Sequence, residues 1–142
     1  MPLGDLLLRH NCTMKLIFLS TLLFLSTSLF CQDAGEIARF DTWHIDLGEV
    51  QKGSKIDSVF SFTNIIDQPI EIDLVSTCEC TEAKWTRGSI APGETGSIRF
   101  IFDSSKKEEN EPVDVDIIFL NVNPKTDNPY TAYLQYVYTL TD

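Results

Sequence analysis

Cys78 and Cys80 are the residues whose type and spacing offer the most chemistry in this chain. They flank Glu79 at the end of an extended pattern, in Cys78-Glu79-Cys80-Thr81. Residues i and i+2 of a strand share a face with Cα atoms ~6.6–6.8 Å apart. A disulfide prefers ~4.4–6.8 Å with strict torsions, so a Cys-X-Cys bridge requires the strand to bend sharply. Three readings stand: a local disulfide, a reduced or partner-linked thiol pair, and a soft-metal site, for which copper(I) is the ion that accepts two thiolates. The spacing is not the Cys-X-X-Cys of thioredoxin-like enzymes, and no helix start is at hand to lower a thiol pKa.

Other candidates have simpler readings. Beyond the N-terminal leader His44 is the only imidazole, too few for a zinc site or a Ser-His-acid arrangement. Asp114 with Asp116, and Glu71 with Asp73, each put two carboxylates on one strand face, as alternation on any solvated sheet does. Trp43 and Trp85 are read as core plugs rather than ligand platforms. Tyr133 lies on the opposite strand face from Tyr136 and Tyr138 and is the best exposed aromatic for an interaction. No catalytic set and no cofactor are implied.

The elements that must position these residues are strands. Apolar residues alternate with polar ones through Ile56–Phe62, Ile70–Leu74, Ile98–Phe102, Val113–Phe119 and Ala132–Leu140, with shorter patterns around Ile37–Phe40 and Trp43–Leu47. Gly53, Pro69, the Pro92-Gly93 pair and the stretch 121–129 supply turns. Residues 104–112 are polar and charged apart from Pro112 and are expected to form an exposed loop, with at most a single helical turn. Short strands with turn signals every eight to twelve residues predict an all-β, immunoglobulin-like β-sandwich of about seven strands, with a small barrel as the competing fold. The expected core is Phe60, Phe62, Ile70, Ile72, Leu74, Trp85, Ile98, Phe100, Phe102, Val115, Ile117, Phe119, Leu134 and Tyr136. Ile118 and Leu120 interrupt the polar face of their strand, so that end of the face is expected to be covered.

Residues 16–30 form an uncharged apolar run directly after Lys15 and end at a polar Gln32-Asp33 pair. The run is short for a membrane span, which needs roughly 20 apolar residues, and fits a secretory signal peptide. The chain therefore divides into a leader, 1–31, with Met14 a more ordinary start than Met1, and a single domain, 32–142, without a transmembrane span. Cleavage is expected after Cys31 or Ala34, and the bulky Phe30 argues against a lipoprotein acylated at Cys31. The whole chain has 21 acidic and 11 basic side chains. Nucleic acid is disfavoured as a partner, because Lys106-Lys107 is followed at once by Glu108-Glu109.

Several segments together resemble a known pattern: Phe60-Ser-Phe62-Thr-Asn64, Cys78-Glu-Cys80-Thr81, Trp85, Ile90-Ala-Pro92-Gly93, Gly96-Ser-Ile98 and Phe102-Asp103. They resemble an exported bacterial immunoglobulin-like domain of unknown function, common in Bacteroidetes and related in fold to hydin-type and major-sperm-protein-type domains. The match is good over about residues 40 to 103. Glu79 replaces the glycine usual between the cysteines, and 104–112 lacks the glycine that normally leads into the next strand. The resemblance brings no established activity. The expected function is a non-catalytic, exported structural or interaction module of the cell envelope, periplasmic or secreted, with a protein or peptide partner. The alternative is copper(I) binding or thiol–disulfide exchange at Cys78 and Cys80.

Overall fold

Period-two alternation becomes eight strands in the computed structural model, which describes residues 33–142. They are β1 (Ala38–Phe40), β2 (His44–Gln51), β3 (Lys55–Asn64), β4 (Ile72–Ser76), β5 (Thr81–Trp85), β6 (Thr95–Asp103), β7 (Val113–Asn123) and β8 (Asn128–Thr141). The first sheet has the order β1-β3-β6-β5 and the second β2-β8-β7-β4. Neighbours are antiparallel except β2 and β8, which pair in parallel, with His44 opposite Gln135. This is an immunoglobulin-like two-sheet sandwich. Residues 1–32, with the Met14 start and Cys31, lie outside the described residues, whereas Ala34, the other cleavage candidate, is buried in the 3-10 turn Asp33–Glu36.

The inner faces supply one core. Phe60, Phe62, Ile98, Phe100 and Phe102 come from the first sheet, and Val115, Ile117, Phe119, Leu134 and Tyr136 from the second; all are completely buried. Phe100 stacks on Tyr136 across the layers, ring centroids 4.7 Å apart, and on Phe60 within its own sheet at 5.5 Å. Gly96 is where the Phe62 ring needs room. A Cβ there would lie 2.7 Å from Ile90 Cδ1 and closer still to the ring.

Three expectations are corrected. Leu74 is not in the core. A bulge shifts the register between Ile72, opposite Phe119, and Leu74, opposite Ile118. The extra residue, Asp73, turns Leu74 outward and sends Val75 inward, because one inserted residue exchanges the faces of everything after it. Leu120 is exposed and Ile118 half-buried, so the outer face of β7 is uncovered. Trp85 points inward at the register of Ile98, but it ends the edge strand β5 and is only half covered, with the Arg87 guanidinium 3.7 Å over its ring.

The stretch around Trp85 also accounts for the strand count. Thr81–Trp85 is a strand of its own that pairs with β6 throughout, Thr81 opposite Phe102 and Trp85 opposite Ile98. The loop after β6 begins with a 3-10 turn, Ser104–Lys106, capped by the Asp103 carboxylate, which accepts from Ser105 N at 3.1 Å. Ser104 is buried and donates to the carbonyls of Gln51 and Ser54. Farther on, Tyr138 Oη donates to Glu109 O and Leu140 N to Asn110 Oδ1, so the charged loop is tied down along β8.

Candidate functional site

Two features remain as candidates: the cysteine corner and the outer face of the second sheet. In the structure Cys78 and Cys80 are joined in a disulfide with Cα atoms 5.2 Å apart. The corner bends enough for this without glycine. Among the described residues only Asp127 is a non-glycine with positive φ, so Glu79 adopts ordinary backbone angles. Backbone bonds hold the bend, Thr81 N donating to Cys78 O at 3.1 Å and Asp103 N to Cys80 O at 2.8 Å. Lys106 Nζ donates to the Glu79 carbonyl at 2.8 Å.

The two sulfurs face different surroundings. Cys80 is buried, with Sγ 4.0 Å from the Tyr136 hydroxyl. Cys78 is half-buried and lines an open depression of about 300 Å3 with Ser76, Thr77, Lys107, Asp114 and Asp116. The Thr81 hydroxyl lies 3.4 Å from one sulfur and 3.5 Å from the other, and 2.5 Å from the Tyr136 hydroxyl. Burial pushes the Tyr136 phenol up to about 12, so it remains neutral. With the sulfurs bonded to each other, copper(I) ligation would first require reduction. No cluster of three or more His, Cys, Asp or Glu able to hold a metal is present among the described residues.

The second feature was legible in the sequence only in part. Of the six large hydrophobic residues most exposed among those described, Leu74, Leu120, Val122 and Tyr133 belong to β4, β7 and β8; their exposures are 47, 54, 52 and 51%. Register sets Leu74 and Tyr133 on one face, and the alternation of β7 carries Leu120 and Val122 on its outward side across a register shift between Ile118 and Val122. Leu74, Ile118 and Thr131 form one row across the sheet, and Ser76, Asp116 and Tyr133 the next. Leu120 and Val122 continue the outward side of β7 beyond Ile118. Tyr133 is thus the one predicted interaction residue that the structure places in this patch. Of its apolar companions, Ile118 and Leu120 were legible as interruptions of the polar face of β7, whereas Leu74 was assigned to the core because the bulge beside it is set by pairing with β7.

Asp114 and Asp116 continue the same outward side of β7 toward the cysteine corner, with Gln135 Nε2 donating to Asp114 Oδ1 at 2.9 Å. Partial burial, and then the neighbouring Asp114 charge, raise the Asp116 carboxyl above the ordinary range. Asp73 is exposed and Glu71 half-buried, on either side of the buried Ile72. His44 is exposed at the start of β2, and Trp43 packs on Phe40 with centroids 4.6 Å apart.

Sandwich and corner together define an immunoglobulin-like domain carrying a short Cys-X-Cys bridge. The chain belongs to the family described as protein of unknown function (DUF1573), whose model matches residues 38–130. A Porphyromonas gingivalis protein of unknown function has the same fold, with TM-score 0.60, 17% identity, and coverage of 73% of this chain and 46% of that one. So does part of the Vibrio cholerae VesB protease, with TM-score 0.59, 16% identity, and 73% and 32% coverage. The seventh PapD-like domain of human CEP192 aligns with TM-score 0.59 at 9% identity, covering 74% of this chain and 85% of that domain. This chain therefore spans less than half the length of the two bacterial structures. No curated protein matches it in sequence.

Proposed function

We propose that the chain is an exported, non-catalytic interaction module of the cell envelope that docks a second protein on the outer face of its second sheet. The observation that carries this reading is the patch of Leu74, Ile118, Leu120, Val122 and Tyr133. Single exposed hydrophobics are ordinary, but neighbouring ones on one sheet face mark a contact surface. The apolar run after Lys15 supports export, and no helix among the described residues is long and apolar enough to cross a membrane. The Cys78–Cys80 bridge, held by backbone bonds on both sides, serves the fold.

A photo-reactive residue at position 120 in the producing cell tests the reading, with position 59 on the outer face of the first sheet as the control. The expected result is a discrete adduct with a different protein of the envelope fraction from position 120. It should be suppressed by Leu74→Ser and absent from position 59. Equal labelling from both positions, or none from position 120, would remove the proposal.

A further inference from the structure

The two sheets differ in charge. On the first, each strand carboxylate has a cation: Lys55–Asp103, Lys84–Glu82 and Arg99–Asp57 are ion pairs. The strands of the second contain no Lys or Arg, yet carry Asp46, Glu49, Asp73, Asp114 and Asp116. None of these five is in an ion pair among the described residues. Lys107, which lines the depression beside Asp114 and Asp116, is itself paired with Glu111. One face thus combines the exposed apolar patch with carboxylates that have no counter-charge.

We propose that this face binds a cationic, apolar segment of a partner protein, with Lys or Arg side chains over Asp114 and Asp116 and apolar side chains over Leu74, Leu120 and Val122. The inference rests on the interaction reading above and adds the chemistry of the partner. Complementary charge sets specificity and encounter rate at such a face, while apolar contact supplies most of the affinity. Asp116 gains most from a cation, because it is partly desolvated beside a like charge. A second copy docked face to face would bring another cation-free sheet against the first. Anionic lipid or nucleic acid would meet uncompensated carboxylates.

Three twelve-residue peptides test the proposal, with Val alternating with Lys, Ser or Glu, titrated into protein purified after expression of the full chain. The Lys peptide should bind on the order of tenfold more tightly than the Glu peptide at low salt, and this preference should shrink at 0.3 M salt. Asp114→Asn with Asp116→Asn should abolish most of the preference. Glu108→Gln with Glu109→Gln, on the charged loop, should leave it intact, which separates local pairing from overall negative charge. Leu74→Ser with Leu120→Ser should weaken all three peptides alike. Equal binding of the Lys and Glu peptides, or a preference that survives the Asp114/Asp116 change, would overturn the cationic partner while the apolar dock stands. Binding of no peptide would overturn this inference, whereas the adduct from position 120 judges the interaction reading separately. A concentration-dependent dimer lost in the Leu74/Leu120 variant would assign the face to a second copy and overturn it too.

Discussion

The Thr81 and Tyr136 hydroxyls lie 2.5 Å apart, and this contact joins β5 of the first sheet to β8 of the second directly beneath the disulfide. The same Thr81 oxygen is within 3.5 Å of both sulfurs. The corner is therefore a junction between layers rather than an appendage to one strand.

Alkaline titration should reveal this junction. Burial raises the folded-state Tyr136 phenol to about 12 from 10.0. Below pH 10 both states are protonated and this group gives stability no pH dependence. Between pH 10 and 12 the unfolded chain loses the proton first, so stability falls by ~1.4 kcal/mol per pH unit from this group. Tyr138 and Tyr130 are raised as well and act in the same direction. Urea unfolding across this range should show the loss, and Tyr136→Phe should reduce the slope by about one proton. At pH 7 the same change should cost roughly 0.5–1.5 kcal/mol for the lost hydrogen bond.

Reduction of the Cys78–Cys80 bridge should weaken the fold without abolishing it. The closed loop is so short that its removal from the unfolded chain is worth only roughly 1.5 kcal/mol on the loop-entropy relation. Denaturant midpoints with and without reductant measure this directly. Unfolding on reduction alone would show that the bridge holds more of the structure than its own corner.

Asn64 should tolerate no replacement. It is buried at the end of β3, donating through Nδ2 to Gln68 O at 2.8 Å and Ile90 O at 3.0 Å, while its Oδ1 accepts from Ile66 N at 3.0 Å. Its backbone bonds Glu94 O and Gly93 N. Asn64→Ala removes all three side-chain bonds, leaving Ile66 N and Gln68 O without this partner while Ile90 O keeps Ile70 N, and should cost about 1–3 kcal/mol. Asn64→Asp should cost more at neutral pH, because it buries a charge that cannot donate to the two carbonyls. Thermal unfolding at pH 7 and pH 4 separates the two, since protonation should recover part of the Asp variant's loss.

Phe100→Ala and Leu120→Ala should behave oppositely despite both residues being large hydrophobics in strands. Phe100 is fully buried between Phe60 and Tyr136, and its loss should cost about 3–5 kcal/mol through transfer and cavity contributions together. Leu120 faces solvent, and its truncation should stay within about 0.5 kcal/mol. Equilibrium denaturation of the two variants checks which face of each strand is the core.

Alternation alone was enough to read the sheet class, most strands and twelve of the core positions, because burying one face of a sheet writes a period of two into local sequence. The Phe-x-Phe-x-Asn ending of β3 was legible as a family feature, but its reason is tertiary: Asn64 bonds Gln68 and Ile90 across a turn and a neighbouring segment. Trp85 was read by type, and only its position on an edge strand shows why it is half covered. The interaction face was the least legible part. Leu74 looks like the third member of Ile70-Ile72-Leu74 until pairing with β7 inserts a bulge at Asp73 and reverses its side. The unpaired carboxylates were visible as residues, but their lack of cations depends on which strands share a sheet, and strand order is set by long-range pairing that no local window contains.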